Sequence, residues 1–176
     1  NDLVSFWATF NEPWNVIANG YVWGNWPPQK HLNFCLAIKA FNNVILSHKN
    51  FYDRIHSMND NINCGLIDAN TYFTPFNEKS FLDNKLVKLS KFVLNQLIFD
   101  KIQDKIDFIG LNYYFHARLK FHPIKFIFDQ TGLIRNEDKT VSDLGWEIYP
   151  DGIYHVLQDL AKYRKPIYIT ENGLAD

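Results

Sequence analysis

An α/β fold built on a parallel sheet is what this sequence predicts, and three observations carry the reading. Hydrophobic runs of strand length alternate with longer stretches of helical periodicity. The runs are apolar on both faces, as strands are when helices cover both sides of a sheet. Polar residues also gather at the C-terminal ends of three of the four runs, the edge at which parallel sheets and (β/α) barrels carry their active sites.

The first strand is Val4-Ser5-Phe6-Trp7-Ala8-Thr9-Phe10, and it stops at Asn11-Glu12-Pro13 because proline cannot continue a ladder of backbone hydrogen bonds. A loop punctuated by Gly20, Gly24, Pro27 and Pro28 leads to a long helix over 31–55. Ile38, Phe41, Ile45, His48, Tyr52 and Ile55 recur there at three- and four-residue steps, which marks an inner face. A second strand is expected over 63–69 and a second helix over 84–99. The third strand, Asp107-Phe108-Ile109-Gly110-Leu111-Asn112-Tyr113, is nearly continuous in apolar character. A long loop rich in turn formers precedes a helix over 151–163. The last strand, Pro166-Ile167-Tyr168-Ile169-Thr170, ends at Glu171-Asn172-Gly173. No repeat, low-complexity tract or linker interrupts this order, so residues 1–176 read as one domain.

The chain has 176 residues, 47% hydrophobic and 21% charged, which fits a folded unit rather than a disordered one. A net charge of −1 without a basic cluster argues against nucleic acid as a partner. The apolar runs fall far short of the roughly 18 residues that span a bilayer, so no membrane is expected either. The chain begins without Met and enters an apolar segment at once, as if cut from a longer protein. With no targeting signal in view, the expected location is cytoplasmic. Oligomeric state is not legible.

Cys35 and Cys64 are too few for a disulfide framework and lack metal-ligand spacing, so both read as reduced, buried small hydrophobes. His31, His48, His56, His116, His122 and His155 form no ligand-spaced cluster, and neither metal nor cofactor is expected. His48 suits a hydrogen-bonded core position on the long helix. A nucleotide-binding domain would need a glycine-rich strand-to-helix turn, and there is none. The aromatic share, 16% with five Trp, suits a well-filled core and equally suits stacking on the apolar faces of sugar rings.

Two carboxylates give the chemistry its direction. Glu12 and Glu171 each follow a hydrophobic strand, so both belong at the same end of a parallel sheet. Glycosidic cleavage needs a proton for the departing oxygen and a second carboxyl to trap or stabilise the oxocarbenium-like centre, and a retaining enzyme uses such a pair. Of the other acids, Glu147 precedes a helix and suits a structural role, and Asp107 belongs at the opposite end of its strand. Asp68, inside an apolar strand, lines the site or pairs with a base.

Thr9-Phe10-Asn11-Glu12-Pro13-Trp14 resembles the acid/base signature of glycoside hydrolase family 1, the β-glucosidase and β-galactosidase group. Ile169-Thr170-Glu171-Asn172-Gly173 is similar to that family's nucleophile signature. The third-strand run through Tyr114 and the segment Leu144-Gly145-Trp146-Glu147-Ile148-Tyr149-Pro150 resemble two further motifs of the family, in the same order. The resemblance spans essentially the whole chain. It implies a (β/α)8 barrel of which about four units, strands four to seven, are present. It implies a retaining β-glycosidase working by double displacement on a small carbohydrate, with Glu12 as general acid/base and Glu171 as nucleophile. It further implies that Asn11 binds the sugar 2-hydroxyl, that Asn112 lines the sugar subsite, that Tyr114 holds the nucleophile, and that Trp14 floors the leaving-group side or packs structurally.

The missing strands would supply other sugar ligands, so the isolated 176 residues are expected to be unstable and inactive. Two departures from the family pattern stand out. Ala69 occupies a position where the family carries Asn, with Asn70 one step later and on the other face. The connection from Phe99 to Asp107 is also short. Residues 116–143, with Phe121, Phe126, Phe128, Lys120 and Lys125, read as a lid or a solvated flap. A non-catalytic sugar- or protein-binding relative and a 6-phospho-β-glycosidase stand as alternatives.

Overall fold

A computed structural model describes residues 3–114, 116–122 and 139–175. Phe126, Phe128 and Lys125 of the expected flap lie outside the described residues. The elements follow one another as β1 (Phe6–Asn11), α1 (Pro13–Ile17), α2 (Phe34–His56), β2 (Asn63–Ala69), β3 (Tyr72–Pro75), α3 (Phe81–Ser90), α4 (Leu97–Ile102), β4 (Phe108–Tyr113), β5 (His116–Leu119), α5 (Gly152–Leu160) and β6 (Ile167–Asn172). The main sheet has the order β1-β2-β4-β6, with β1 parallel to β2 and β2 parallel to β4. This is the expected partial (β/α) barrel: four strands, with helices in the connections between neighbours, as parallel pairing requires.

The described chain divides into two compact units. The first holds the residues up to Ala69, Ile98–Asn112 and Tyr163–Thr170. Its core is built by Cys64, Leu66, Ile98, Phe99, Ile102, Ile106, Ile109 and Leu111, all essentially excluded from solvent. Phe6, Phe108 and Tyr168 meet ring to ring, each pair of centroids 5.4–5.6 Å apart. Gly65 makes room for this cluster, since a Cβ there would sit 2.5 Å from the Phe108 ring. Two polar posts, buried His48 and half-buried Asp107, tie the helices to the sheet. His48 of α2 bridges the Thr9 hydroxyl and the Lys105 carbonyl, 2.7 Å to each. Asp107 accepts hydrogen bonds from Tyr52, His56 and the Cys64 amide at 3.0, 2.9 and 2.8 Å. Asp107 is therefore structural, as its place before β4 predicts.

The second unit comprises Asn70–Leu97, the described part of Tyr113–Lys162, and the chain from Glu171 on. Here β3 and β5 form a two-stranded parallel sheet that the sequence reading missed, because both runs are only four residues long and half polar. α3 starts at Ser80, whose hydroxyl accepts from the Asp83 amide at 3.2 Å. The helix widens to a π-helical turn over Lys91–Gln96, which aims Asn95 at the Thr71 backbone.

Several expectations need correction. The long helix runs from Phe34 to His56, and its buried face is set by Ala37, Phe41, His48 and Ile55, whereas Ile38 is exposed. Cys35 is exposed, since it occupies the first turn on the solvent side of that helix, while Cys64 is buried and its thiol is pushed up to about 12 by burial and by the Asp107 charge. The second helix begins three residues early at Phe81 and runs on through the π turn to Ile102, because Ser80 supplies the cap. The last strand extends two residues further than expected and includes Glu171. No helix among the described residues is long and apolar enough to cross a membrane.

Candidate active site

β1 runs into α1 with almost no connection, and Glu12 is the hinge between them. Pro13 opens the helix, where its missing N–H costs nothing. Glu12 takes a left-handed conformation, φ 48° and ψ 52°, which costs a non-glycine residue about 1–2 kcal/mol. Its amide donates to the Ile67 carbonyl of β2 at 2.9 Å, and its own carbonyl accepts from Asn15 at 3.0 Å. The side chain is thereby held at the C-terminal end of the sheet.

The Glu12 carboxylate is engaged on both oxygens. Oε1 accepts from Asn112 Nδ2 at 2.8 Å, and Oε2 accepts from Asn15 Nδ2 at 2.7 Å. Asn112, fully buried at the end of β4, is oriented by the Thr170 hydroxyl, which donates to Asn112 Oδ1 at 2.7 Å. The second hydrogen of the Asn112 amide goes to Asn11 Oδ1 at 3.1 Å. With its oxygen so occupied, Asn11 has its amide hydrogens to offer a ligand. Trp14 stacks on Phe41 of α2, centroids 4.9 Å apart, the contact a packing residue makes.

In the second unit the Tyr114 hydroxyl donates to Glu171 Oε2. The next residue, Asn172, donates to the Tyr113 carbonyl at 2.7 Å, and Tyr113 donates to the Tyr149 carbonyl at 2.8 Å. A cavity of about 150 Å³ opens beside Tyr114, with Trp146, Tyr149 and Asn172 in its wall. Glu147 lies apart from these groups in a structural ion pair. Arg118 meets its carboxylate with two donors at 3.1 Å, and His116 Nδ1 lies 3.2 Å away at ion-pair distance without hydrogen-bond alignment. Burial would push the Glu147 carboxyl up, but the Arg118 contacts bring it below its ordinary range. Burial likewise lowers His116.

The structure thus joins Asn11, Glu12 and Asn112 in one hydrogen-bonded group and Tyr114 with Glu171 in another. Asn15 and Thr170 were missed in the sequence, although each had a signal: Asn15 lies one helical turn after Glu12, and Thr170 directly precedes Glu171. Asn70 turns its amide to the Asn95 carbonyl at 3.3 Å. Asp68 is 1% exposed, and neither of its oxygens has a hydrogen-bond partner among the described residues. Among the described residues no cation pairs with it, so the basic partner considered from sequence is not among them. Among the described residues, no group of His, Cys, Asp and Glu is placed to hold a metal.

The sequence profile of glycosyl hydrolase family 1 matches residues 1–102 and 91–176. A β-galactosidase of Sulfolobus acidocaldarius is 31% identical, covering 100% of this chain and 40% of its own length. A 6-phospho-β-galactosidase of Clostridium acetobutylicum is 28% identical over 98% of this chain and 48% of its own length. The solved structure of a β-glucosidase from Thermotoga maritima in complex with deoxynojirimycin superposes with a TM-score of 0.84 at 28% identity, covering 98% of this chain and 45% of that one. The chain therefore spans less than half the length of these relatives. With its full extent matched by the family profile and its sheet matched by the family's solved fold, this chain belongs to glycosyl hydrolase family 1.

Proposed function

We propose that the protein is a retaining β-glycosidase acting on terminal β-D-glycosides, with Glu171 as nucleophile and Glu12 as general acid/base. The observation that supports this best is that each glutamate stands at the C-terminal end of a strand of one sheet, with its carboxylate fixed by a hydrogen-bond donor: Asn112 for Glu12, Tyr114 for Glu171. A carboxylate that must attack or deliver a proton along one line benefits from being held in one rotamer before substrate arrives.

In the first step Glu171 attacks the anomeric carbon while the bond to the leaving-group oxygen breaks and Glu12 gives that oxygen its proton. The product is a glycosyl ester on Glu171. In the second step Glu12, now ionised, removes a proton from water, whose oxygen attacks the anomeric carbon and frees Glu171. Asn11 would hold the sugar 2-hydroxyl with its amide hydrogens, Asn112 would line the sugar subsite while positioning Glu12, and Trp14 would support the acid's helix through Phe41. The relatives include proteins named for glucosides, galactosides and 6-phosphogalactosides, so the sugar class is tested by assay. We assign the activity to a chain carrying the rest of the barrel and expect the 176 residues alone to be inactive, because the outer strands β1 and β6 leave backbone groups unpaired.

The test is Glu171→Gly in the intact protein, assayed on nitrophenyl glycosides. Hydrolysis should be abolished, and azide should restore turnover with a glycosyl azide as product. A protein whose wild type hydrolyses no glycoside yet binds sugars would instead be the non-catalytic relative.

A further inference from the structure

β2 lies between β1 and β4, and its residue Asp68 is the least expected group in that central strand. Its carboxyl is buried, and neither oxygen has a hydrogen-bond partner among the described residues. Strand register fixes its neighbours. Asn11 pairs with Ile67, the Glu12 amide donates to the Ile67 carbonyl at 2.9 Å, and Asp68 itself pairs with Leu111. Glu12 and Asp68 therefore each follow directly after Asn11–Ile67, the last pair of the β1–β2 ladder, in which neighbouring backbones run about 4.8 Å apart.

We propose that Asp68 is a positioning residue for Glu12, a carboxyl group that keeps its proton while its neighbour cycles between acid and base. The inference rests on the acid/base role given to Glu12 above. Two like charges on neighbouring backbones inside a protein repel strongly, and among the described residues no cation pairs with either to offset them. With Asp68 neutral, the step in which Glu12 passes its proton to the departing oxygen creates one negative charge in this part of the sheet and not two. The proton on Asp68 stays where it is throughout, so the balance of the reaction is unchanged.

The surrounding groups agree. Burial raises the Asp68 carboxyl well above its ordinary range, the nearby Ala69 amide opposes this, and the Glu12 charge adds to it. α1 carries no titratable group, and β4 carries no charged residue between Phe108 and Asn112. On α2, His48 is committed to Thr9 and Lys105, and Asp107 sits before β4 at the other end of the strand. Cys64 is the other titratable group of β2, and its thiol is neutral.

Infrared difference spectra of the full chain, wild type against Asp68→Asn at neutral pH, should show a protonated carboxylic acid band that the substitution removes. In Glu12→Gln the pH midpoint of that band should move down, because the repelling charge is gone. Absence of the band, or a midpoint unmoved in Glu12→Gln, would overturn the proposal; the second result would leave Asp68 as a merely buried acid. Should Asp68→Asn fail to fold, labelled aspartate carboxyl shifts in the wild type and in Glu12→Gln read the same midpoint. No substrate is involved, so failure of the glycosidase reading would show separately, in the azide experiment.

Discussion

Asn112 spends both hydrogens of its side-chain amide on residues of β1: one reaches Glu12 Oε1 at 2.8 Å and the other Asn11 Oδ1 at 3.1 Å. Its oxygen is taken by Thr170 at 2.7 Å, so the orientation of the amide is dictated from both sides. A single buried residue thereby sets the rotamers of the proposed acid and of the proposed 2-hydroxyl ligand.

Replacing Asn112 with Ala should lower kcat/KM of the intact protein by about 10- to 100-fold, the value of one lost charge-assisted hydrogen bond plus an unpaired hydroxyl. Asn112→Asp should be worse, because it puts a carboxylate where Glu12 needs a donor. Equal losses in the two variants, measured on nitrophenyl glycosides, would show that orientation of Glu12 is not what Asn112 provides.

Tyr114→Phe keeps the ring that lies 6.2 Å from Trp146 and removes only the hydroxyl bound to Glu171. The expected result is a fall in kcat/KM of about 10- to 100-fold with little change in stability. A large loss of folded protein in denaturant titrations would instead assign Tyr114 to the core.

His48 makes a prediction about pH. Burial lowers it from its ordinary value of 6.5, so the folded state prefers the neutral ring. As pH falls below 6.5 the unfolded chain takes up the proton first, and stability drops until the lowered folded value is passed. Urea unfolding from pH 7.5 down to 5 should therefore show a decline in the wild type that is shallower in His48→Gln. Parallel slopes would count against a neutral buried ring.

Glu147→Gln removes one partner from the pair with Arg118 and His116. Its cost should be about 1–3 kcal/mol of stability, since a guanidinium is left without its carboxylate. Arg118→Lys should recover little, because the two-donor geometry is lost.

The four strands of the main sheet were legible from sequence because each is a mainly apolar run flanked by breakers, and Glu12 and Glu171 were legible because each stands at the end of one. What was hidden depended on partners distant in sequence. Cys35 was expected inside from its residue type, but a position in the first turn of α2 decides its exposure. β3 and β5 are recognisable only once Tyr72 finds His116, a pairing that no local pattern announces. Thr170 looked like the end of a strand until the Asn112 oxygen gave its hydroxyl a purpose. Asp68 was visible as an oddity, but only its burial, with no base beside it among the described residues, shows what kind of oddity it is.

The ring contacts among Phe6, Phe108 and Tyr168 carry a consequence for the order of folding. β1 and β6 are the outermost strands of the sheet and share no backbone hydrogen bonds, yet their aromatic rings touch. The ring of Phe6 therefore finds its partners only in strands 102 and 162 residues later in the chain, contacts whose long sequence separation slows folding. Until those strands are in place Phe6 has neither of these rings against it, so its ring cluster belongs to the late steps of folding.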